Sequence, residues 1–371
     1  MRIENVQVLM ADGVFRKGTV EFDESIQKIE LCETTDAGVG PYLIPGLIDV
    51  HTHGALGGDH SHGSAEALRK AASFYAGNGT TSFLATTLTA TEETIADAMR
   101  NVAQHERPAD GARCLGINME GPFFSHEKRG AHQAELLKPP DIAMFERLFK
   151  LSGERIKLVC VSPELEGAME FIQEASQITR VSLAHSAADY QTAMQAFGHG
   201  ATHVTHLFNG MRPFLHRDPG IVGAALDANA FVEVICDGYH LHPAAIRAIF
   251  RMFPRRACLI SDSLGCTGLP DGSYESAGLP IVVQKGRAML EDGSSLAGST
   301  ITLLQSVRVA VSLGIPLAEA VMAASAHSAE ALGMEREIGT LTPGAHADMV
   351  LLDSALGIQK VYIGGKEVPH T

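Results

Sequence analysis

Positive charge is scarce in this chain. Its 371 residues include 29 Lys and Arg against 43 Asp and Glu, a net charge of −14. No chain-wide positive field exists to gather nucleic acid or anionic lipid, so an anionic ligand needs a local cluster of Arg, His and backbone N–H groups. Long apolar runs are also missing: none approaches the roughly eighteen residues of a membrane span. The opening MRIENVQVLMADG has neither a long apolar stretch nor a small-residue cleavage pattern, and no secretion signal is expected. No C-x-x-C pair occurs among the 6 cysteines. Cys114, Cys160, Cys236 and Cys258 sit in short apolar runs and read as reduced core residues of a cytoplasmic protein. Cys266 lies in a Gly-rich loop and is assigned no role.

What is present is an ordinary globular composition, 45% apolar and 19% charged, with enough apolar residues for a large core. Short strand-like pieces fill the first forty-odd positions (VQVLM, GTVEF, KIELC) and the last thirty (ADMVLLD, QKVYIGGKEV), where Gly364-Gly365 signals a tight hairpin. The two ends are expected to pair into a small β-sandwich domain, residues 1–45 with 338–371. Between them, residues 46–337 alternate apolar runs with helix-period segments such as SAEALRKAASFYAGNG and HPAAIRAIFRMF. Eight strand candidates appear, at 47–51, 81–86, 114–119, 157–161, 181–184, 203–206, 232–236 and 258–261. Eight βα repeats over this length fit a closed (β/α)8 barrel of the TIM type, an α/β fold whose active site lies where strands end and loops begin.

The polar residues test that expectation. His51, His53, Glu120, His185, His206, Asp237 and Asp262 all fall at or just past the C-terminal end of a candidate strand. Positions i and i+2 of a strand face one way, so His51 and His53 can share a metal. A second pair, His60 and His62, lies in a Gly-rich loop with no strand to fix it and reads as loop residues near the mouth. Glu120 is a hard oxygen donor able to bridge two metals, and His185 and His206 close consecutive strands. His203, three residues before His206, should face the other side and serve the core. Asp262 suits a general base that takes a proton from water and delivers it to a leaving amine. These donors suit Zn²⁺ or Fe²⁺.

Taken together, PGLIDVHTHG, NMEGPFFSHEKRGAH, LAHS, THLFNGM, HRDPGIVGAALD, CDGYHLHP, ISDS and SLAGSTIT resemble the N-acetylglucosamine-6-phosphate deacetylases of the amidohydrolase superfamily. The likeness runs from about residue 40 to PGAHADMVLLD near the C-terminus. It implies a principal metal on Glu120, His185 and His206, with a second position at His51 and His53. It implies Asp262 as catalytic acid/base and His132 as the residue that holds the substrate carbonyl. Ala131, Asn209, Gly210, Leu296, Ala297 and Gly298 would line the sugar site. Arg217 and His240 match phosphate-binding positions, with Arg217 supplied by the partner subunit of a homodimer. Gly210 and Ser263 stand where Ala is common in the family.

The implied reaction is hydrolysis of N-acetyl-D-glucosamine 6-phosphate to D-glucosamine 6-phosphate and acetate. An N-acetylgalactosamine-6-phosphate deacetylase is the near alternative. A dihydroorotase-type enzyme would carry a carboxylated Lys where Glu120 stands, and adenine deaminases lack the HLFN and RDPG stretches. A non-catalytic binding protein on the same barrel would be expected to have lost Glu120, His185, His206 or Asp262.

Overall fold

The computed structural model describes residues 1–32 and 40–370. Eight apolar runs form the barrel strands β1 (Leu47–Thr52), β2 (Thr80–Thr87), β3 (Arg113–Met119) and β4 (Ile156–Val161). They continue with β5 (Arg180–Leu183), β6 (His203–Val204), β7 (Phe231–Ile235) and β8 (Ala257–Ile260). The strands pair in chain order, all parallel. β8 rejoins β1 just past its own end. Asp262 N–H donates to His51 O at 2.9 Å and His53 N–H to Ser263 O at 2.7 Å. The C-terminal rim, where the polar residues gather, is therefore where the eight-stranded sheet closes.

Helices pack outside the strands and begin where the sequence supplies a cap. Ser64, Thr91, Asp189 and His242 each accept a backbone N–H at the start of Ala65–Gly77, Glu92–Ala103, Tyr190–Gly198 and Pro243–Met252. Such a cap is worth about 1 kcal/mol. Inside the barrel, Ile48, Val50, Leu84, Leu158, Ile235 and Ile260 form one buried cluster with Ala329 and Ile338. These come from β1, β2, β4, β7 and β8, several of which are not neighbours, so they can meet only in the interior.

The chain ends pair as expected. Their strands form one seven-stranded sheet in which Met349–Leu352 pairs with Tyr42–Pro45, and Gly364-Gly365 makes its hairpin turn. The sheet curls: Phe22 and Tyr362, separated by three intervening strands in its order, bring their rings to 5.2 Å. The two halves thus face each other across a core of Val8, Val20, Leu43 and Met349.

One element was not foreseen. Between β8 and helix Leu303–Ser312 the chain builds a three-stranded antiparallel sheet, Gly272–Ser276, Leu279–Gln284 and Arg287–Leu290. Its two turns, Ala277-Gly278 and Lys285-Gly286, have positive φ at both residues. That is the turn geometry whose twist matches paired strands.

Candidate active site

The rim residues meet because their backbones turn sharply there. His185, His206 and Asp262 have φ of 46°, 29° and 49°, a left-handed conformation that non-glycine residues rarely adopt and that concentrates at functional sites. This also shortens the strands relative to the sequence reading: β6 stops at Val204 instead of running to 206. In β1 the register against β2 breaks between Asp49 and Thr52. Strict alternation would set His51 opposite Val50, yet Val50 joins the interior cluster and His51 reaches Glu120 and Glu233.

Two groups of donor atoms result, joined by Glu120. Its Oε1 lies 3.2 Å from His185 Nε2 and 3.1 Å from His206 Nε2, which are 3.1 Å from each other. Its Oε2 lies 3.5 Å from His51 Nε2 and 3.3 Å from His53 Nε2. Asp262 Oδ1 completes that second group, 3.4 Å from His51 Nε2 and 3.1 Å from His53 Nε2, and the two imidazole nitrogens are 3.2 Å apart. Donors about 2.1 Å from a tetrahedral cation sit roughly 3.4 Å from one another. Both groups have that spacing, so these residues fit a metal. The Glu120–His185–His206 group has three donors and an open position; the His51–His53–Glu120–Asp262 group has four.

Electrostatics agree. Burial works against a charged imidazole, yet Glu120, Glu233 and Asp262 raise His51 well above its ordinary value, and Asp262 and Glu120 raise His53 to about 9. Burial would raise Glu120, but His51, His185 and His206 hold it well below the usual carboxylate range. The cluster therefore favours positive charge at its centre, which a divalent cation supplies.

The ring nitrogens that face away from the centre are also held. His185 Nδ1 lies 2.9 Å from Lys128 O and His53 Nδ1 3.3 Å from Thr86 O. Both must be N–H donors there, which leaves Nε2 as the ligand atom. His132 has the opposite arrangement. Thr89 N–H donates to its Nδ1 at 3.3 Å, and burial with the neighbouring His185 pushes its pKa well below the ordinary value. A neutral His132 thus carries its proton on Nε2 and can donate it.

A cavity of about 270 Å³ opens over this cluster. His53, Glu120, Ala131, His132, His185, His206, Asn209, Gly210, His240, Asp262, Leu296, Ala297 and Gly298 all line it. His51 lies behind the lining, fully buried. Arg217 does not line it; its side chain is exposed and lies against His216 Nε2. Asp237 accepts the Nδ1 proton of His240 at 2.7 Å and two loop N–H groups, aiming that ring. His242 is the neighbouring helix cap, which separates the two. His60 and His62 stay outside the cavity. His60 is stacked on Phe83 near Tyr75, and His62 pairs with Asp59 at 3.7 Å. His203 is buried against Phe231, as expected. All six cysteines are free and only Cys32 is exposed.

Sequence reasoning missed the wall made by the inserted sheet, where Ser276, Leu279, Ile281 and Leu290 face the cavity. It also missed Glu233, a buried carboxylate on β7 whose Oε2 lies 2.9 Å from His51 Nδ1.

A family profile described as "Amidohydrolase family" matches residues 42–368. The chain belongs to the amidohydrolase family. It is 38% identical to an N-acetylgalactosamine-6-phosphate deacetylase of Escherichia coli O157:H7, over 98% of this chain and 95% of that protein. It is also 38% identical to an N-acetylglucosamine-6-phosphate deacetylase of Vibrio furnissii, over 89% and 84%. Among solved structures, the N-acetyl-D-glucosamine-6-phosphate deacetylase of Mycobacterium smegmatis, a variant in complex with N-acetyl-D-glucosamine-6-phosphate, superposes with a TM-score of 0.92. It has 30% identity and covers 100% of this chain and 99% of that one. The Thermotoga maritima N-acetylglucosamine-6-phosphate deacetylase gives 0.89 at 30% identity, covering 100% of both chains.

Proposed function

We propose that this amidohydrolase removes the acetyl group from N-acetyl-D-glucosamine 6-phosphate, releasing acetate and D-glucosamine 6-phosphate. The observation that carries the reading is the three-donor group Glu120–His185–His206, open to a cavity whose rim holds Asp262 and His132. Zn²⁺ or Fe²⁺ suits these nitrogen and carboxylate donors. Bound there, it would lower the pKa of a water to about 7 and polarise the amide carbonyl. Asp262 takes a proton from the attacking water and returns it to the amine nitrogen as the C–N bond breaks. His132 donates its Nε2–H to the oxygen that gains negative charge at the tetrahedral carbon. Ala131, Asn209, Gly210, Leu296, Ala297 and Gly298 hold the sugar, and His240 meets the phosphate.

A phosphate needs a cation, and the cavity lining contains no Lys or Arg among the described residues. Arg217, exposed on its own chain, supplies it from the partner subunit of a homodimer; a guanidinium matches phosphate geometry with two parallel hydrogen bonds. Six free cysteines support a cytoplasmic setting.

Equal identity to a galactosamine and a glucosamine deacetylase makes the C4 configuration a second reading. The deciding assay is acetate release from N-acetylated sugars of both configurations, with and without the 6-phosphate. Release only from the galactose series would replace the substrate assigned here, and no release from any would remove the reading. In the same assay, Asp262→Asn should lower kcat about 10²–10⁴-fold with the Glu120–His185–His206 metal retained. Near-normal turnover would remove Asp262 as acid/base.

A further inference from the structure

Of the four histidines in the two donor groups, two have the outward nitrogen on a backbone carbonyl, Lys128 O for His185 and Thr86 O for His53. His206 Nδ1 is buried with no partner among the described residues. His51 alone is backed by a charge. Glu233, 1% exposed on β7, places Oε2 2.9 Å from His51 Nδ1, and the same oxygen accepts the His206 backbone N–H at 3.2 Å. Its Oε1 is buried with no hydrogen-bond partner among the described residues. It does not line the cavity, so it touches no substrate.

A buried carboxylate so sparsely bonded is costly unless positive charge lies near it. Among the described residues no Lys or Arg forms an ion pair with Glu233, Glu120 or Asp262; their recorded partners are histidines alone. Three carboxylates thus converge on one region, and with the imidazoles neutral, as metal ligands must be, a single divalent cation leaves that region one charge negative. We propose that Glu233 is a positioning residue that makes the His51–His53 pair a genuine second metal site. By accepting the Nδ1 proton it fixes the His51 tautomer, turning the Nε2 lone pair toward His53, Glu120 and Asp262. Its negative charge then favours a second divalent cation there over a neutral, metal-free pair of imidazoles. A backbone carbonyl, which serves His53 and His185, would give the first effect without the second. The inference rests on the metal-dependent reading above.

The test is metal stoichiometry, read by mass spectrometry after Zn²⁺-loaded protein is equilibrated with a series of chelators. Wild type should hold two ions per chain. Glu233→Gln keeps the shape and an acceptor but loses the charge; it should keep one ion at wild-type affinity and bind the second about 10–100-fold more weakly. Two ions at wild-type affinity in Glu233→Gln, or equal weakening of both, would overturn the proposal, as would a wild type that holds only one. Should Glu233→Gln fail to fold, Glu233→Asp decides, because it keeps the charge but withdraws it by one methylene. It should weaken the second ion selectively, and unchanged affinity at both positions would again overturn the role. A folded wild type that binds no ion at all would instead sink the metal-dependent function.

Discussion

His203 and His206 stand three residues apart and face opposite fates. His206 turns to Glu120, whereas His203 is buried against Phe231. Burial, with the nearby Arg180, pushes the His203 pKa down from 6.5 to about 3. The unfolded chain therefore binds this proton between pH 6.5 and about 3 while the folded chain does not. Stability from the neutral ring is complete above pH 6.5 and is lost as the pH falls through that window, at about 1.4 kcal/mol per pH unit. Urea unfolding at pH 7.5 and 5.5 should show wild type losing stability at the lower pH, with His203→Gln losing about 1.4 kcal/mol less. Identical pH slopes for the two proteins would show that His203 is not the titrating group.

At the scale of elements, the inserted sheet is tied to the site from both sides. Ile281, Val283 and Ala288 pack on Leu264, Cys266 and Ala297, and Gln133, next to His132, donates to Ala277 O. The sheet closes one wall of the cavity but brings no donor to the metal cluster. Ile281→Asn should therefore raise KM about tenfold, the equivalent of 1.4 kcal/mol, and leave metal content and kcat nearly unchanged. A fall in metal content would show that the sheet supports the cluster itself. The eight barrel strands and most of their helices were legible because apolar runs and caps repeat along the chain, and the site was legible because its donors end those runs. The inserted sheet was harder to read, its signal resting on two-residue turns such as Lys285-Gly286. Glu233 was hidden for another reason. In FVEVI an acid between two valines reads as the outward member of an alternating strand, and only the closed barrel brings it to His51, 182 positions away. The positive φ of His206, which cuts β6 to two residues, is likewise set by the rim and not by local propensity.

For the whole molecule, the proposed phosphate cation makes a demand that one chain does not meet. Arg217 follows Phe214 and Leu215, which are 43% and 53% exposed, and Arg212 pairs with Asp218 across the same loop. An exposed apolar pair beside an exposed Arg is a surface that a second copy can cover, and if a two-fold dimer brings one such loop to the partner's cavity, symmetry brings the other as well. Two crippled variants then complement each other. In a heterodimer of Arg217→Ala with Asp262→Asn, one cavity holds an intact Asp262 and receives an intact Arg217, while the other has lost both. Refolding the two variants together in equal amounts makes half of the dimers mixed, so activity should recover to about a quarter of wild type at low substrate concentration. The variants assayed apart should stay far below that. If the mixture gives only the average of the two, Arg217 acts within its own chain or not at all, and the phosphate must find its positive charge elsewhere.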